Sequence, residues 1–272
     1  MRLGLSSWTY PWSIGVGNYP LPERPMRWMD LLETTHRLGV DVLQIADNLP
    51  LDKLAGSELE SLRRESANLG VTLESGTRGV EPDWLLRYLD ISCAAGAKLL
   101  RTLTNTATSN PDIHQVAAWL EKVLPRFEQA GVVIALENNE AHLAAEYAKL
   151  VQDLSSPSLG ICLDTANALG TPETTRVVVE TLAPHAVCLH YKEFGIERLD
   201  HRMGFLVAGR PPGQGFVDAS WVVEVVARRG RNANVILEQW PPYTSDIAST
   251  VQMEQDWARA GVDFLREVLA AV

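Results

Sequence analysis

The hydrophobic positions along the chain form short apolar runs that alternate with longer amphipathic runs. The apolar runs are rich in Val, Ile and Leu and nearly continuous, which is typical of strands buried on both faces of a parallel sheet. They predict eight strands, at residues 3–8, 40–46, 71–76, 98–103, 132–138, 159–165, 186–192 and 234–240.

The amphipathic runs between these strands predict helices. Several begin at start signals, such as Ser57 with Glu60 three residues later and the Asn110-Pro111 pair. The predicted helices lie near residues 26–38, 57–69, 82–95, 111–130, 140–154, 172–183, 216–229 and 251–270.

Eight strand–helix units in succession, joined by right-handed crossovers, close into a barrel more readily than they form an open sheet. No linker or shift in composition marks a second domain, so residues 1–272 are predicted to form a single-domain (β/α)8 TIM barrel. An open doubly wound sheet is the alternative, but the first strand lacks the G-x-G-x-x-G of its dinucleotide-binding version. Two long connections, 9–25 and 193–215, are predicted at the face where barrel active sites form.

The composition is that of an ordinary globular protein, with 46% hydrophobic and 21% charged residues. The formal net charge of −10 disfavours nucleic acid as a partner, because no basic excess is available to neutralise phosphates. Three cysteines without a C-x-x-C pair predict free thiols in a reducing compartment. There is no apolar run of about 18 residues and no signal-peptide pattern, so a cytoplasmic protein is expected.

Each of the last four predicted strands ends on a side chain that can bind a metal. In chain order these are Glu137, Asp164, His190 and Glu238. In a closed barrel the four strand ends are neighbours on one rim, at the carboxyl-terminal face where active sites form.

Electrostatics favours a metal ion between these side chains. An ionised carboxylate removed from water is costly unless it is paired or coordinated, and three of them also repel one another. One divalent ion removes both problems, so the four residues are predicted to be its ligands. Three carboxylates and one imidazole suit Mn²⁺ best among the expected ions, with Mg²⁺, Co²⁺, Zn²⁺ and Fe²⁺ as alternatives.

The sequence around these strand ends resembles the xylose isomerase-like TIM barrel superfamily, which includes hydroxypyruvate isomerase and the ketose 3-epimerases. The resemblance covers essentially the whole chain and rests on the ordered segments ALEN, CLDTAN, LHYKE, GRPPGQGFVD (ending at Asp218) and LEQW. It implies a barrel with one divalent metal, but the superfamily spans isomerases, epimerases, dehydratases, decarboxylases and nucleases.

The epimerase branch of this superfamily implies roles for individual residues. Glu137 and Glu238 would exchange the substrate proton as well as bind the metal. That branch has a substrate-binding His three residues after the Asp ligand, where this chain has Asn167. Asn167 is therefore expected to contact the substrate in a way that differs from the ketose 3-epimerases. Relatives in the superfamily also imply a possible homodimer or homotetramer.

Three cationic residues are predicted near the mouth: Arg78 after the third strand, Arg101 in the fourth and Lys192 at the end of the seventh. Buried cations need partners. They could neutralise Glu74, Asp47 or the surplus charge of the ligands. Alternatively, they bind a carboxylate or phosphate of the substrate, which Arg recognises through two parallel hydrogen bonds.

Aromatic and loop residues complete the predicted site. Trp8 and Trp240 follow the first and last strands and are expected to stack on a sugar or to pack at the rim. His201, in the long connection after the seventh strand, is a candidate substrate contact. The fragments QIADNLPL (44–51), ESGTRG (74–79) and HRMGF (201–205) are similar to a subgroup that includes 3-oxo-isoapionate decarboxylase.

The leading hypothesis is a metal-dependent isomerase or epimerase acting on a sugar, sugar acid or sugar phosphate. The metal would polarise a carbonyl and stabilise an enediolate while a carboxylate removes the adjacent C–H proton. The same anion forms when a 3-oxo acid loses carbon dioxide, so a decarboxylating lyase is the second hypothesis. An apurinic endonuclease and a non-catalytic sugar-binding barrel are further alternatives. The endonuclease is disfavoured by the acidic charge and by the lack of additional histidines for a multi-metal site.

Overall fold

Eight parallel strands form a closed barrel in the computed structural model of the chain, which describes residues 1–272. In chain order the strands are β1 (Leu3–Ser6), β2 (Val42–Ile45), β3 (Thr72–Arg78), β4 (Leu99–Leu103), β5 (Val133–Glu137), β6 (Leu159–Asp164), β7 (Ala186–Lys192), β8 (Phe194–Arg198), β9 (Phe205–Gly209) and β10 (Asn234–Glu238). The barrel order is β1-β10-β7-β6-β5-β4-β3-β2, while β8 and β9 pair only with each other. The predicted (β/α)8 barrel is confirmed.

The helices surround this barrel. They are α1 (Pro11–Ile14), α2 (Trp28–Arg37), α3 (Gly56–Asn68), α4 (Pro82–Ala95), α5 (Ile113–Ala130), α6 (Ala144–Leu154), α7 (Thr175–Leu182), α8 (Ala219–Arg229) and α9 (Ile247–Ala270). The eight predicted helices correspond to α2–α9. None of the helices combines the length and the apolar character that crossing a bilayer requires.

Side-chain caps fix several helix starts that the hydrophobic pattern placed a few residues away. Asp246 accepts a hydrogen bond from the Ser249 amide at 2.8 Å, so α9 begins four residues before the predicted position. Asp218 caps α8 in the same way, through the Trp221 amide at 3.1 Å. Such caps satisfy amides that have no partner within the helix.

The apolar residues divide into two layers. The main core lies between the outer faces of the strands and the helices and holds 57 buried residues. A second, smaller cluster of six residues comprises Val42, Ala135, Cys162, Val187, Cys188 and Ile236. All but Val187 lie two strand positions before an inward polar side chain, so they place apolar side chains beneath the polar rim.

The two long connections contain structure that the sequence did not predict. Residues 9–25 include the short helix α1, whose Ser13 amide donates to buried Glu254 on α9 at 2.9 Å. Residues 193–215 include the antiparallel hairpin β8–β9. Its strands are five residues each, contain glycine and are largely exposed, so no buried apolar run marked them.

Glu193 anchors the base of this second connection. Its buried carboxylate accepts hydrogen bonds from the Gly213 amide at 3.2 Å and the Val217 amide at 3.0 Å. Tyr191 donates its hydroxyl to the same carboxylate at 2.6 Å. The end of β7 is therefore bonded directly to residues 213–217.

Candidate metal centre and active site

Strand register brings the four predicted metal-binding side chains together at the carboxyl-terminal rim. Asp164 and His190 are paired positions of β6 and β7, and Glu238 on β10 is paired with Lys192 on β7. The Nδ1 atom of His190 lies 3.5 Å from Glu137 Oε1, 3.9 Å from Asp164 Oδ2 and 3.4 Å from Glu238 Oε1. One donor atom from each of the four residues falls within 4.8 Å of the others.

The three distances from His190 Nδ1 fit a single small divalent ion. Two ligand atoms that are each about 2.1 Å from an ion can be at most about 4.2 Å apart. Two of the four donors, His190 Nδ1 and Glu238 Oε1, are fully buried and have no hydrogen-bond partner, and buried Asp164 Oδ2 meets only the Lys192 ammonium. Buried polar atoms without partners are rare and costly, so the cluster has the composition and spacing of a metal site.

The charge distribution around His190 shows how strongly the cluster attracts a cation. Burial alone lowers the pKa of His190, but the carboxylates of Glu238 and Glu137 outweigh it and hold the pKa well above its usual range. A proton on this ring therefore compensates the carboxylates when no ion does. A bound metal would displace that proton, because only the unprotonated nitrogen is a ligand.

Glu137 is fixed by contacts to both of its oxygens. Arg101 donates its Nε–H to Oε2, and Asn167 donates its amide to Oε1 at 2.5 Å. Burial would raise the pKa of Glu137, yet the positive charges of Arg101 and His190 hold it well below its usual range. Arg101 also pairs with Asp47 at 2.8 Å, so its observed contacts match the interpretation that it neutralises Asp47 and ligand charge.

Lys192 lies between two of the donors. Its Nζ is 2.9 Å from Asp164 Oδ2 and 3.0 Å from Glu238 Oε2, and the Trp240 ring centroid is 4.8 Å away. Burial lowers the pKa of Lys192, but Asp164 and Glu238 raise it above its usual range, so the ammonium stays charged. Lys192 also donates to Asn167 Oδ1 at 3.2 Å.

Asp164 is held rigidly by the backbone around it. Its Oδ1 accepts the Ala166 and Asn167 amides, each at 2.7 Å. The neighbouring Asn138 side chain bonds both the amide and the carbonyl of Asp164, at 2.8 and 3.0 Å. These bonds leave Oδ2 pointing at the cluster, which is the orientation that a ligand needs.

A pocket of about 190 Å³ opens above the cluster. It is lined by Trp8, Asp47, Arg78, Arg101, Leu103, Glu137, Asn139, Glu140, Asn167, Lys192, Glu238 and Trp240. Of the predicted substrate contacts, all but one line this pocket. His201 does not, because it lies in the exposed turn of the β8–β9 hairpin, where its Nδ1 accepts the Met203 amide at 3.2 Å.

Some polar residues of the site were not singled out in the sequence. Asn139 and Glu140 line the pocket directly after β5. Gln44 on β2 is fully buried, and its Oε1 lies 2.8 Å from His190 Nε2. The available signal was its position in β2, two residues after Val42 and hence on the same, inward strand face.

Comparison with known proteins places this geometry in a family. A family model described as xylose isomerase-like TIM barrel matches residues 32–268. The chain belongs to the xylose isomerase-like TIM barrel family. The chain is also similar in sequence to the 3-oxo-isoapionate decarboxylase of Pectobacterium atrosepticum. The two are 34% identical over 267 residues, which cover 97% of this chain and 95% of that protein.

Solved structures of this xylose isomerase-like fold are similar in architecture. The D-psicose 3-epimerase of Clostridium cellulolyticum H10, with D-tagatose, matches over 99% of both chains with a TM-score of 0.74 and 18% identity. A xylose isomerase-like protein of Mycobacterium smegmatis, in complex with magnesium, covers 96% of this chain and 97% of its own with a TM-score of 0.67 and 12% identity. At these identities the likeness concerns the fold. The family and the decarboxylase relative together support a sugar-modifying enzyme.

Proposed function

We propose that the protein is a divalent-metal-dependent decarboxylase of a 3-oxo sugar acid. The observation that carries the proposal is a buried cluster of three carboxylates and one imidazole beneath a pocket that also holds cations. Two of its donor atoms, His190 Nδ1 and Glu238 Oε1, have no hydrogen-bond partner. The similarity over nearly the whole chain to a 3-oxo-isoapionate decarboxylase supports this reaction over isomerisation.

The four residues Glu137, Asp164, His190 and Glu238 would hold the ion, with Mn²⁺ as the first candidate. When bound, a divalent ion polarises an oxygen of the substrate and stabilises the negative charge that develops as a bond breaks. The reaction breaks the bond between C2 and the carboxylate, carbon dioxide leaves, and C2 then takes up one proton.

Arg78 is the side chain best placed to bind the substrate's carboxylate. It lines the pocket and, unlike Arg101, has no carboxylate partner within ion-pair distance. Its planar guanidinium can form two parallel hydrogen bonds to a carboxylate. Lys192 supplies a second positive charge, and Asn167 offers an amide beside it. Trp8 and Trp240 line the same pocket, where their rings can cover an apolar face of a sugar.

Glu238 is the better candidate for the group that delivers or removes the proton. Both oxygens of Glu137 accept hydrogen bonds, from Arg101 and Asn167. In Glu238, Oε1 has no hydrogen-bond partner and Oε2 meets only the Lys192 ammonium. The proposed pair is therefore asymmetric, with Glu137 held in place and Glu238 available to the substrate.

Isomerase or epimerase action is the second candidate. The observation that favours it is the pair of glutamates at nearly equal distances from His190 Nδ1, 3.5 and 3.4 Å, which could serve two carbons of one substrate.

We further propose a cytoplasmic enzyme, for which the three free cysteines are supporting evidence, and a homodimer or homotetramer as its assembly.

One NMR experiment separates the two reactions. The protein is incubated in D₂O with Mn²⁺ and 3-oxo-isoapionate carrying ¹³C in the carboxylate, with a sample in excess EDTA as the control. The lyase releases labelled carbon dioxide and leaves one deuterium on the former C2. An isomeric product that keeps the labelled carboxylate supports the isomerase, and full turnover in EDTA contradicts both metal-dependent reactions.

The ion itself has a separate readout. A ligand that binds only the folded state stabilises it by about 2.7 kcal/mol at a concentration 100 times its Kd. Added Mn²⁺ should therefore raise Tm, and EDTA should lower it. Elemental analysis that finds no divalent metal, together with a Tm insensitive to Mn²⁺, would count against the proposed centre.

A further inference from the structure

A chain of three hydrogen bonds, two of them buried and the last partly buried, runs through the barrel interior away from the proposed metal centre. His190 Nε2 lies 2.8 Å from Gln44 Oε1, and Gln44 Nε2 donates to Glu74 Oε2 at 3.0 Å. The other oxygen of Glu74 accepts the Asn234 amide at 2.6 Å. His190 and Gln44 are fully buried, and Glu74 is 4% exposed.

Each bond in this chain fixes the direction of the next. Both oxygens of Glu74 accept hydrogen bonds, Oε2 from the NH₂ end of the Gln44 amide and Oε1 from Asn234. The carbonyl end of that amide must then face His190, so the proton of the neutral ring is on Nε2. The lone pair is consequently on Nδ1, the atom that faces Glu137, Asp164 and Glu238.

We propose that Gln44 and Glu74 are positioning residues that hold His190 in the one tautomer able to bind a metal at Nδ1. The inference rests on the proposed metal centre. Neither residue contacts the four-residue donor set except through the imidazole: Gln44 reaches it directly, and Glu74 acts by orienting Gln44. Partners of this kind fix the ring of a metal-binding histidine, and their loss typically weakens metal binding 10–100-fold.

The contacts of Gln44 support this orientation over the flipped amide. With the amide reversed, its carbonyl oxygen would face Glu74 Oε2, which would lose the hydrogen bond that it accepts from Gln44. The NH₂ group would then donate to His190 Nε2, which moves the ring proton to Nδ1. Gln44 Nε2 also lies 3.6 Å from Cys188 Sγ, a weak acceptor, so both of its hydrogens have a partner.

The far end of the chain is reachable from solvent, which allows a specific test. Glu74 and Asn234 line a cavity of about 510 Å³ at the amino-terminal face of the barrel, opposite the proposed active site. Removing the Glu74 side chain opens a space from that cavity to the Gln44 amide. A small carboxylate such as formate can occupy this space and replace the missing acceptor.

The experiment measures the Kd for Mn²⁺ by calorimetry in the full-length wild type and in Gln44→Met, Glu74→Ala and the double variant. Ser75→Ala is the matched control. It removes a buried hydrogen bond on the same strand, to Ser92 at 2.6 Å, on the face that packs against α4. Each protein is measured with and without formate, and ¹⁵N-histidine spectra of the Mg²⁺ forms report exchange of the Nε2 proton.

We expect each single variant to raise Kd 10–100-fold, and the double variant to do no more than Gln44→Met, because Glu74 acts only through Gln44. Formate should lower the Kd for Mn²⁺ of Glu74→Ala at least fivefold and should leave the Kd of Gln44→Met unchanged. The Nε2 proton, protected from exchange in the wild type, should lose its protection in Glu74→Ala and regain it with formate.

Two other outcomes have distinct meanings. If the wild type does not bind Mn²⁺, the proposed metal centre itself is wrong. If the wild type binds but both single variants stay within twofold of Ser75→Ala, or the two substitutions add independently, then the positioning role is overturned while the metal centre stands.

Discussion

The two halves of the barrel contribute to the rim in different ways. The strands β5, β6, β7 and β10 each end on one of the four donor side chains. The strands β2, β3 and β4 contribute buried polar residues that support the donors. Gln44 and Arg101 contact a donor directly, and Glu74 contacts Gln44. In the proposed centre, the donor half would determine which ion can bind, and the supporting half holds the donor side chains in place.

The largest effect is expected in the donor half, from Glu238→Gln. This change removes the proposed proton carrier and one anionic donor, so kcat should fall on the order of 10³-fold. Tm of the metal-free protein should also fall, because the buried Lys192 ammonium loses one of its two carboxylate partners. The control is Glu60→Gln, an exposed position on α3. Turnover at the wild-type rate would remove Glu238 from the mechanism.

Arg101→Met tests the supporting half. It leaves Glu137 and Asp47 without their buried cation, so the free energy of unfolding should fall by about 3–5 kcal/mol. The loss should be smaller with Mn²⁺ than with EDTA, since the ion supplies positive charge next to Glu137. Urea unfolding under both conditions measures this difference, with exposed Arg126→Met as the control. Equal losses with and without the ion would show that Arg101 does not share the ion's role.

A buried carboxylate outside both halves shows what happens when no cation lies beside the acid. Glu254 on α9 accepts bonds from the Trp12 amide at 2.6 Å and from Ser13, but faces no cation. Burial therefore raises the pKa of Glu254 from 4.5 to about 7. The folded state then binds this proton more tightly than the unfolded state, so the contribution to stability falls as pH rises from 4.5 to 7. The change is at most about 3 kcal/mol at 1.36 kcal/mol per pKa unit.

The measurement is the free energy of unfolding across this pH window for the wild type and for Glu254→Gln, which cannot titrate. The wild-type curve should decline relative to the variant between pH 4.5 and 7 and run parallel to it above pH 7. A difference between the two curves that is constant across the window would contradict the raised pKa.

The smallest effect is expected from His201→Ala. This side chain is exposed in the hairpin turn and does not line the pocket. Its removal should change kcat/KM by less than about twofold, as expected for a surface position away from the site. A loss of tenfold or more would mean that the hairpin reaches the substrate during turnover.

The barrel and the convergence of four polar side chains at its rim could be predicted from the sequence for a shared physical reason. Strands buried on both faces consist of apolar runs. An acidic or imidazole residue at the end of such a run is therefore easy to recognise, as Asp164 is at the end of LGICLD. The hairpin β8–β9 and helix α1 were missed because short, partly exposed segments carry no such contrast.

The supporting half was harder to predict. Gln44 lies in the middle of an apolar run, and its role depends on Glu74 and His190, which are 30 and 146 residues away in the chain. Arg101 was singled out, but its sequence position allowed either a substrate contact or a partner for acids. The distances from Arg101 to Glu137 and Asp47 show that it pairs with acids of the protein, which the sequence alone could not show.

The bonds from Glu193 to residues 213 and 217 have a mechanical consequence for the pocket wall. Glu193 directly follows Lys192, so the base of the long connection cannot shift without pulling the ammonium that lies between Asp164 and Glu238. The turn of the β8–β9 hairpin lies at the opposite end of the hairpin from this base. These bonds couple the position of residues 213–217 to that of Lys192, so we expect a change at the base of the connection to reach the pocket wall.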